Sequence, residues 1–140
     1  MAYWLFKSEP DVFSWDDLVA RGDAGEPWDG VRNYQARNNM RAMQVGDHGF
    51  FYHSNATRDV VGLVEVIAPA AQDPSTDDPR WECVTIRALA PLKVPFTLDR
   101  AKAEPALRDM VLVNNSRLSV QPVGAAEWDF ICAAAGVECG

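Results

Sequence analysis

Two apolar runs separated by a four-residue link constrain this chain more than any other feature. "HGFFYHS" (48–54) and "DVVGLVEVIA" (59–68) are dense in aromatic and β-branched residues, and the link "NATR" has the length of a hairpin turn. They predict an antiparallel pair. A third run, "WECVTIRALAPL" (81–92), alternates: Trp81, Cys83 or Val84, Ile86 and Ala88 share one side, with Glu82, Thr85 and Arg87 opposite, as in a half-buried strand. Residues 3–6 and 117–123 add further strands. Regular strand–helix alternation is missing, which excludes a doubly wound parallel sheet. About five or six strands and four short helices predict a mixed arrangement on a small, curved or barrel-like sheet.

The helices carry their own start and stop signals. Ser14, with Asp17 three residues on, opens "VFSWDDLVARG" as a near capping box, and Gly22 can end it. Asn33 is a plausible cap for a helix over 33–43, which brings Arg37 and Arg41 onto one face. Residues 97–107 predict a short helix interrupted at Pro105, and 124–136 a last helix with Trp128, Ile131 and Cys132 on one face and Gly136 at its end. Of the five tryptophans, Trp4, Trp15 and Trp128 fall on apolar faces. Trp28 and Trp81 are flanked by polar residues and are the ones open to partial exposure, with a core or rim aromatic the favoured reading for each.

At 140 residues the chain suits one domain, 1–140, with one core. No apolar run approaches the ~20 residues that span a bilayer, so no membrane association is expected. The start of the sequence lacks the pattern of a signal peptide, and a cytoplasmic location is the expectation. Cys83, Cys132 and Cys139 have no C-x-x-C spacing and lie far from both histidines, so idle thiols are expected rather than a disulfide framework or a metal site. No cofactor is indicated.

A net charge of −7 argues against tight non-specific nucleic-acid binding. The charge is uneven, however. Residues 31–46 hold Arg32, Arg37 and Arg41 with no acid until Asp47, while acids gather in 11–29 and 73–78.

No catalytic motif is present: no G-x-S-x-G, no G-x-x-x-x-G-K-[ST], no H-E-x-x-H, no G-x-G-x-x-G. His48, in "GDHG", is expected as a solvent-facing hairpin residue. His53 and Ser54 are adjacent in a strand, so they point to opposite faces and cannot pair as base and nucleophile. The residues that do suggest chemistry suggest binding. "WDGVRNYQARN" (28–38) combines aromatics for stacking, Asn and Gln for base edges and Arg for phosphate. "FYHSN" (51–55) and the "KS" at the end of the first strand add polar strand tips.

Together "YWLFKSEP", "WDGVRNYQARNNMRAMQVGDHGFFYHSN", "GLVEV", "DPRW" and "RLSVQPV" resemble the EVE domain family, in order and over essentially the whole chain. The resemblance implies a PUA-like α+β fold, a small, partly closed mixed β-barrel with short peripheral helices, akin to YTH and ASCH domains. It implies a nucleic-acid reader, in DNA or RNA, that captures a modified or flipped base, notably modified cytosine, in an aromatic-lined pocket. The implied pocket takes Lys7, Ser8, Val31, Arg32, Asn33, Tyr34, Tyr52, His53, Ser54 and Trp81, with Arg37, Arg41 and Arg58 as phosphate contacts. In that reading Ser8 and Asn33 read the base edge, Tyr34 or Trp81 forms a stacking wall, and Arg32 meets a phosphate or the rim. Ser8, Asn33 and His53 are expected to line one pocket. Affinity is expected to be weak and salt-dependent, and the chain a monomer or weak homo-oligomer.

Two other classes compete. One is a small enzyme acting on a nucleotide-like substrate with His53 as general base; the other is a protein-interaction module that docks through the acidic loop 73–78.

Overall fold

The hairpin of residues 48–72 forms and sets the frame for the rest. In a computed structural model that describes residues 1–55, 57–115 and 117–137, β3 (His48–His53) pairs antiparallel with β4 (Asp59–Gln72), and β4 with β5 (Glu82–Thr97). β1 (Tyr3–Ser8) lies on the other side of β3, parallel to it, and β6 (Val120–Val123) closes that flank antiparallel to β1. A two-residue strand, β2 (Glu26–Pro27), caps the far edge against β5. The sheet order is β2-β5-β4-β3-β1-β6. Among the described residues, β2 and β6 stay unpaired edges, so hydrogen bonding does not close the six-stranded sheet into a barrel. Pro122 sits on edge strand β6, where its missing N–H is tolerated.

β4 and β5 run longer than the sequence pattern indicates because bulges let them bend rather than stop. Their register slips at four places between Val60 and Ala71, and each slip turns the strand and tightens its twist. One lies near Cys83 and Val84, which accounts for two consecutive buried residues in a strand expected to alternate.

Both sheet faces are covered. Trp4 and Phe6 of β1, with Phe51 of β3, belong to one apolar cluster; Leu5, Phe50 and Tyr52 belong to the other. Helices α1 (Trp15–Ala20) and α2 (Tyr34–Ala42) contribute Trp15, Leu18, Ala36 and Met40 to the first. α3 (Leu98–Ala103), α4 (Val111–Asn114) and α5 (Ala125–Ala134) contribute Leu98, Leu112, Trp128 and Ile131 to the second. Trp15 lies so close over Gly62 that a Cβ there would come within 2.4 Å of its ring. Ser14 and Asp17 form the full capping box of α1, and Asn33 caps α2.

Two expectations change. His48 is not a turn residue but the first residue of β3, half-buried, with its Nε2 4.0 Å from Glu65. The polar anchor of that turn is Asp47, whose buried carboxylate accepts the Trp4 indole N–H at 3.0 Å and the Gln44 backbone N–H at 3.0 Å. Cys132 is disulfide-bonded rather than an idle thiol. Cys83 is a free, buried thiol pushed up to about 11 by its burial, and Cys139 lies outside the described residues.

Candidate functional site

The first strand ends in a cleft. Its floor and near wall are the tip of β1 (Lys7, Ser8) and the following turn (Glu9, Val12, Phe13); the far wall is the segment from Glu26 to Arg32, and Ser119 closes one side. The volume is about 540 Å³, within the range of roughly 300–1,000 Å³ usual for small-ligand sites.

Local chemistry fixes each wall. The backbone N–H groups of Val12 and Phe13 both donate to the Glu9 carbonyl, and the Ser8 hydroxyl donates to the Phe13 carbonyl at 2.5 Å. The turn after β1 is thereby folded back on its own strand. Opposite, Gly25 adopts φ +67°, and a Cβ there would lie 2.3 Å from the Ile86 carbonyl oxygen. Only glycine lets this segment press onto β5 to form β2. The Trp28 N–H then donates to the Val84 carbonyl at 2.8 Å, and its indole packs edge-on against Phe6, Phe13 and Phe51.

Asp73 locks the far wall. It is 1% exposed, yet its carboxylate accepts the Gly30 N–H (2.9 Å), the Arg32 guanidinium (3.1 Å), and both the hydroxyl and N–H of Ser75. Burial raises this carboxyl, but the bonds from Ser75, Arg32 and Gly30 together outweigh it and hold it below the ordinary range. The acidic loop is therefore folded inward at its first residue, and Gln72 ties down Thr76, Asp78 and Trp81 through their carbonyls.

The cleft carries mixed charge. Lys7, Arg21 and Arg32 face it, and so do Glu9, Glu26 and Asp29, three of each sign. Arg21 pairs with Glu26 at 3.3 Å, and Arg32 with Asp73. Lys7 lies 5.5 Å from the centre of the Tyr52 ring, and burial lowers its ammonium below the usual lysine range.

The residues singled out in sequence divide into several groups. Lys7, Ser8, Val31 and Arg32 line the cleft. Asn33 does not: its carboxamide oxygen accepts the Ala36 N–H at the start of α2. His53 is also elsewhere; its Nε2 accepts the Trp15 N–H at 3.0 Å and so holds α1 to the sheet. Ser8, Asn33 and His53 thus do not line one cleft. Tyr52 is a core residue, its hydroxyl pushed up to about 12 by burial, and Ser54 donates its backbone N–H to the Ser8 carbonyl.

Tyr34 and Trp81 meet outside the cleft, their rings stacked at 5.0 Å and 22°. Arg37 lies 4.8 Å from the Tyr34 ring. Arg41 pairs with Glu82, and Arg58 stands apart in the β3–β4 turn at φ +54°. The stretch that is free of acids in sequence is not so in space, because Asp73 and Glu82 fold back onto it.

Sequence reasoning missed Phe13 and Trp28 as cleft walls. Trp28, favoured as a core or rim aromatic, is 8% exposed and faces the cleft. Its place beside Gly30, in the same block as Val31 and Arg32, was the available signal.

The chain belongs to the EVE domain family, whose model matches residues 2–134. It is 39% identical over 161 residues to thymocyte nuclear protein 1 of Mus musculus, covering 92% of this chain and 71% of that protein. It is also similar to a crystal structure of a protein from Agrobacterium tumefaciens, with TM-score 0.98 and 51% identity, over 100% of this chain and 97% of that one. A crystal structure of human THYN1 protein in complex with 5-methylcytosine-containing DNA superposes with TM-score 0.90 at 34% identity, covering 99% of each chain. The fold is accordingly the PUA-like α+β fold, here as an open six-stranded mixed sheet.

Proposed function

We propose that this protein reads nucleic acid by taking one modified base, extruded from its strand, into the cleft between the β1 tip and the segment from Glu26 to Arg32. The carrying observation is the cleft's chemistry. Aromatic and apolar walls (Phe13, Trp28, Val31) stand beside equal numbers of cations and carboxylates, so the site favours an uncharged, flat, polar heterocycle over a phosphate. The human THYN1 structure with 5-methylcytosine-containing DNA supports the same reading at 34% identity.

Within it, the Ser8 hydroxyl proton is committed to Phe13, which leaves the oxygen's lone pairs to accept from a base amino group. Lys7 supplies a donor at the same end. The alternative of an enzyme with His53 as base gains no support from His53, whose Nε2 already holds the Trp15 N–H.

Titration of short oligonucleotides carrying 5-methylcytosine or plain cytosine tests the proposal. The protein is expected to prefer the methylated strand, and Val31→Trp, which fills the cleft, is expected to abolish that preference. Equal, weak binding of both strands by both proteins would reject the reading.

A further inference from the structure

We infer that the stacked Tyr34–Trp81 ledge is a second nucleic-acid subsite, which takes the base next to the captured one while Arg37 meets that nucleotide's phosphate. This rests on the cleft reading above and extends it from a base to a strand.

Three observations carry it. First, Tyr34 is 51% exposed although its ring already stacks on Trp81. In the same helix Ala36 and Met40 are buried, so Tyr34 lies off the packing face and contributes aromatic surface that the core does not use. Flat aromatic surface of this kind stacks any base, and guanidinium planes do the same. Second, the ledge adjoins the cleft through one side chain: Arg32 lines the cleft and also lies 5.3 Å from the Trp81 ring. A strand with one base in the cleft therefore passes the ledge next.

Third, charge singles out Arg37. Its neighbours are neutralised: Arg32 by Asp73, Arg41 by Glu82, and Arg80 by Asp78, whose carboxyl Arg80 holds down at about 2. Arg37 instead donates to neutral acceptors, the Asn38 carboxamide oxygen and the Arg80 carbonyl, and lies 4.8 Å from the Tyr34 ring and 6.0 Å from that of Trp81. Exchanging a neutral acceptor for a phosphate oxygen breaks no ion pair and adds a charge-assisted bond.

The test compares 5-methyldeoxycytidine monophosphate with a trinucleotide that has the same base in its centre. Tyr34→Ala is expected to weaken trinucleotide binding about tenfold and to leave the monophosphate unchanged. Tyr34→Leu, which keeps apolar bulk but no ring, is expected to do the same, and thermal melting checks that both variants fold. Arg37→Gln is expected to reduce the salt slope of trinucleotide binding by about 0.7. If wild type binds both probes equally, or Tyr34→Ala weakens both alike, the ledge is not a separate subsite and the inference fails while the cleft stands. If wild type binds neither probe, the cleft reading fails and the ledge fails with it.

Discussion

The cleft and the ledge share Arg32 but are held in opposite ways. The far wall of the cleft is backbone fastened to backbone and to a buried carboxylate: Trp28 N–H to Val84, Gly30 N–H to Asp73, Gly25 against Ile86. The ledge is side chain stacked on side chain at the surface. The difference teaches that the cleft's shape is part of the fold, so altering it costs stability. The ledge can be altered at almost no cost to folding.

The largest expected effect is on the lock. Asp73→Ala leaves the Gly30 and Ser75 donors without their acceptor and is expected to cost about 3 kcal/mol in urea denaturation, with cleft binding lost alongside. Unchanged affinity in that variant would break the comparison. Acid sharpens it. The folded carboxyl is held low, so its contribution is complete above pH ~4 and is lost as pH falls through the depressed value. Wild type is therefore expected to lose more stability than Asp73→Asn when acidified from neutrality to below the ordinary carboxylate range.

Next comes the close approach of β2. Gly25→Ala drives a Cβ onto the Ile86 carbonyl at positive φ, and a loss of about 2 kcal/mol is expected from the melting curve. A melting temperature equal to wild type would mean that this wall yields without strain.

The smallest effect separates capping from reading at Asn33, which stands between the two regions. Asn33→Ser keeps a capping oxygen and is expected to leave stability within a few tenths of a kcal/mol, where Asn33→Ala loses about 1. If Asn33 reads a base edge as well, the serine variant loses oligonucleotide affinity while its melting curve stays in place. Retained affinity would confine Asn33 to its cap.

What the sequence made legible follows the range over which its signals act. Ser14 with Asp17, Asn33 before its helix, and the two runs around the β3–β4 turn are patterns within a few residues, and each became the expected element. The PUA-like class is also carried by sequence blocks that occur in order along the chain. What stayed hidden acts across the chain. Nothing in 31–46 shows that Asp73 and Glu82 will neutralise Arg32 and Arg41, each about forty positions away. His53 looked like chemistry because its partner, the Trp15 N–H, is a backbone group that no side-chain pattern displays. The polar sequence neighbours of Trp28 left its exposure open, whereas three aromatic rings from other elements enclose it.

The position of β1 has a consequence for how the molecule is made. Tyr3–Ser8 emerges in synthesis before both of its partners, yet it lies between β3 and β6, and its partner on one side follows it by more than a hundred residues. Until Val120–Val123 arrives, Leu5 and Phe6 sit on an unpaired edge, and open edges of that kind recruit other chains. Pairing over such separations is also slow to form. A nascent chain stalled before β6 is thus a sticky intermediate, and it is β6 that covers β1.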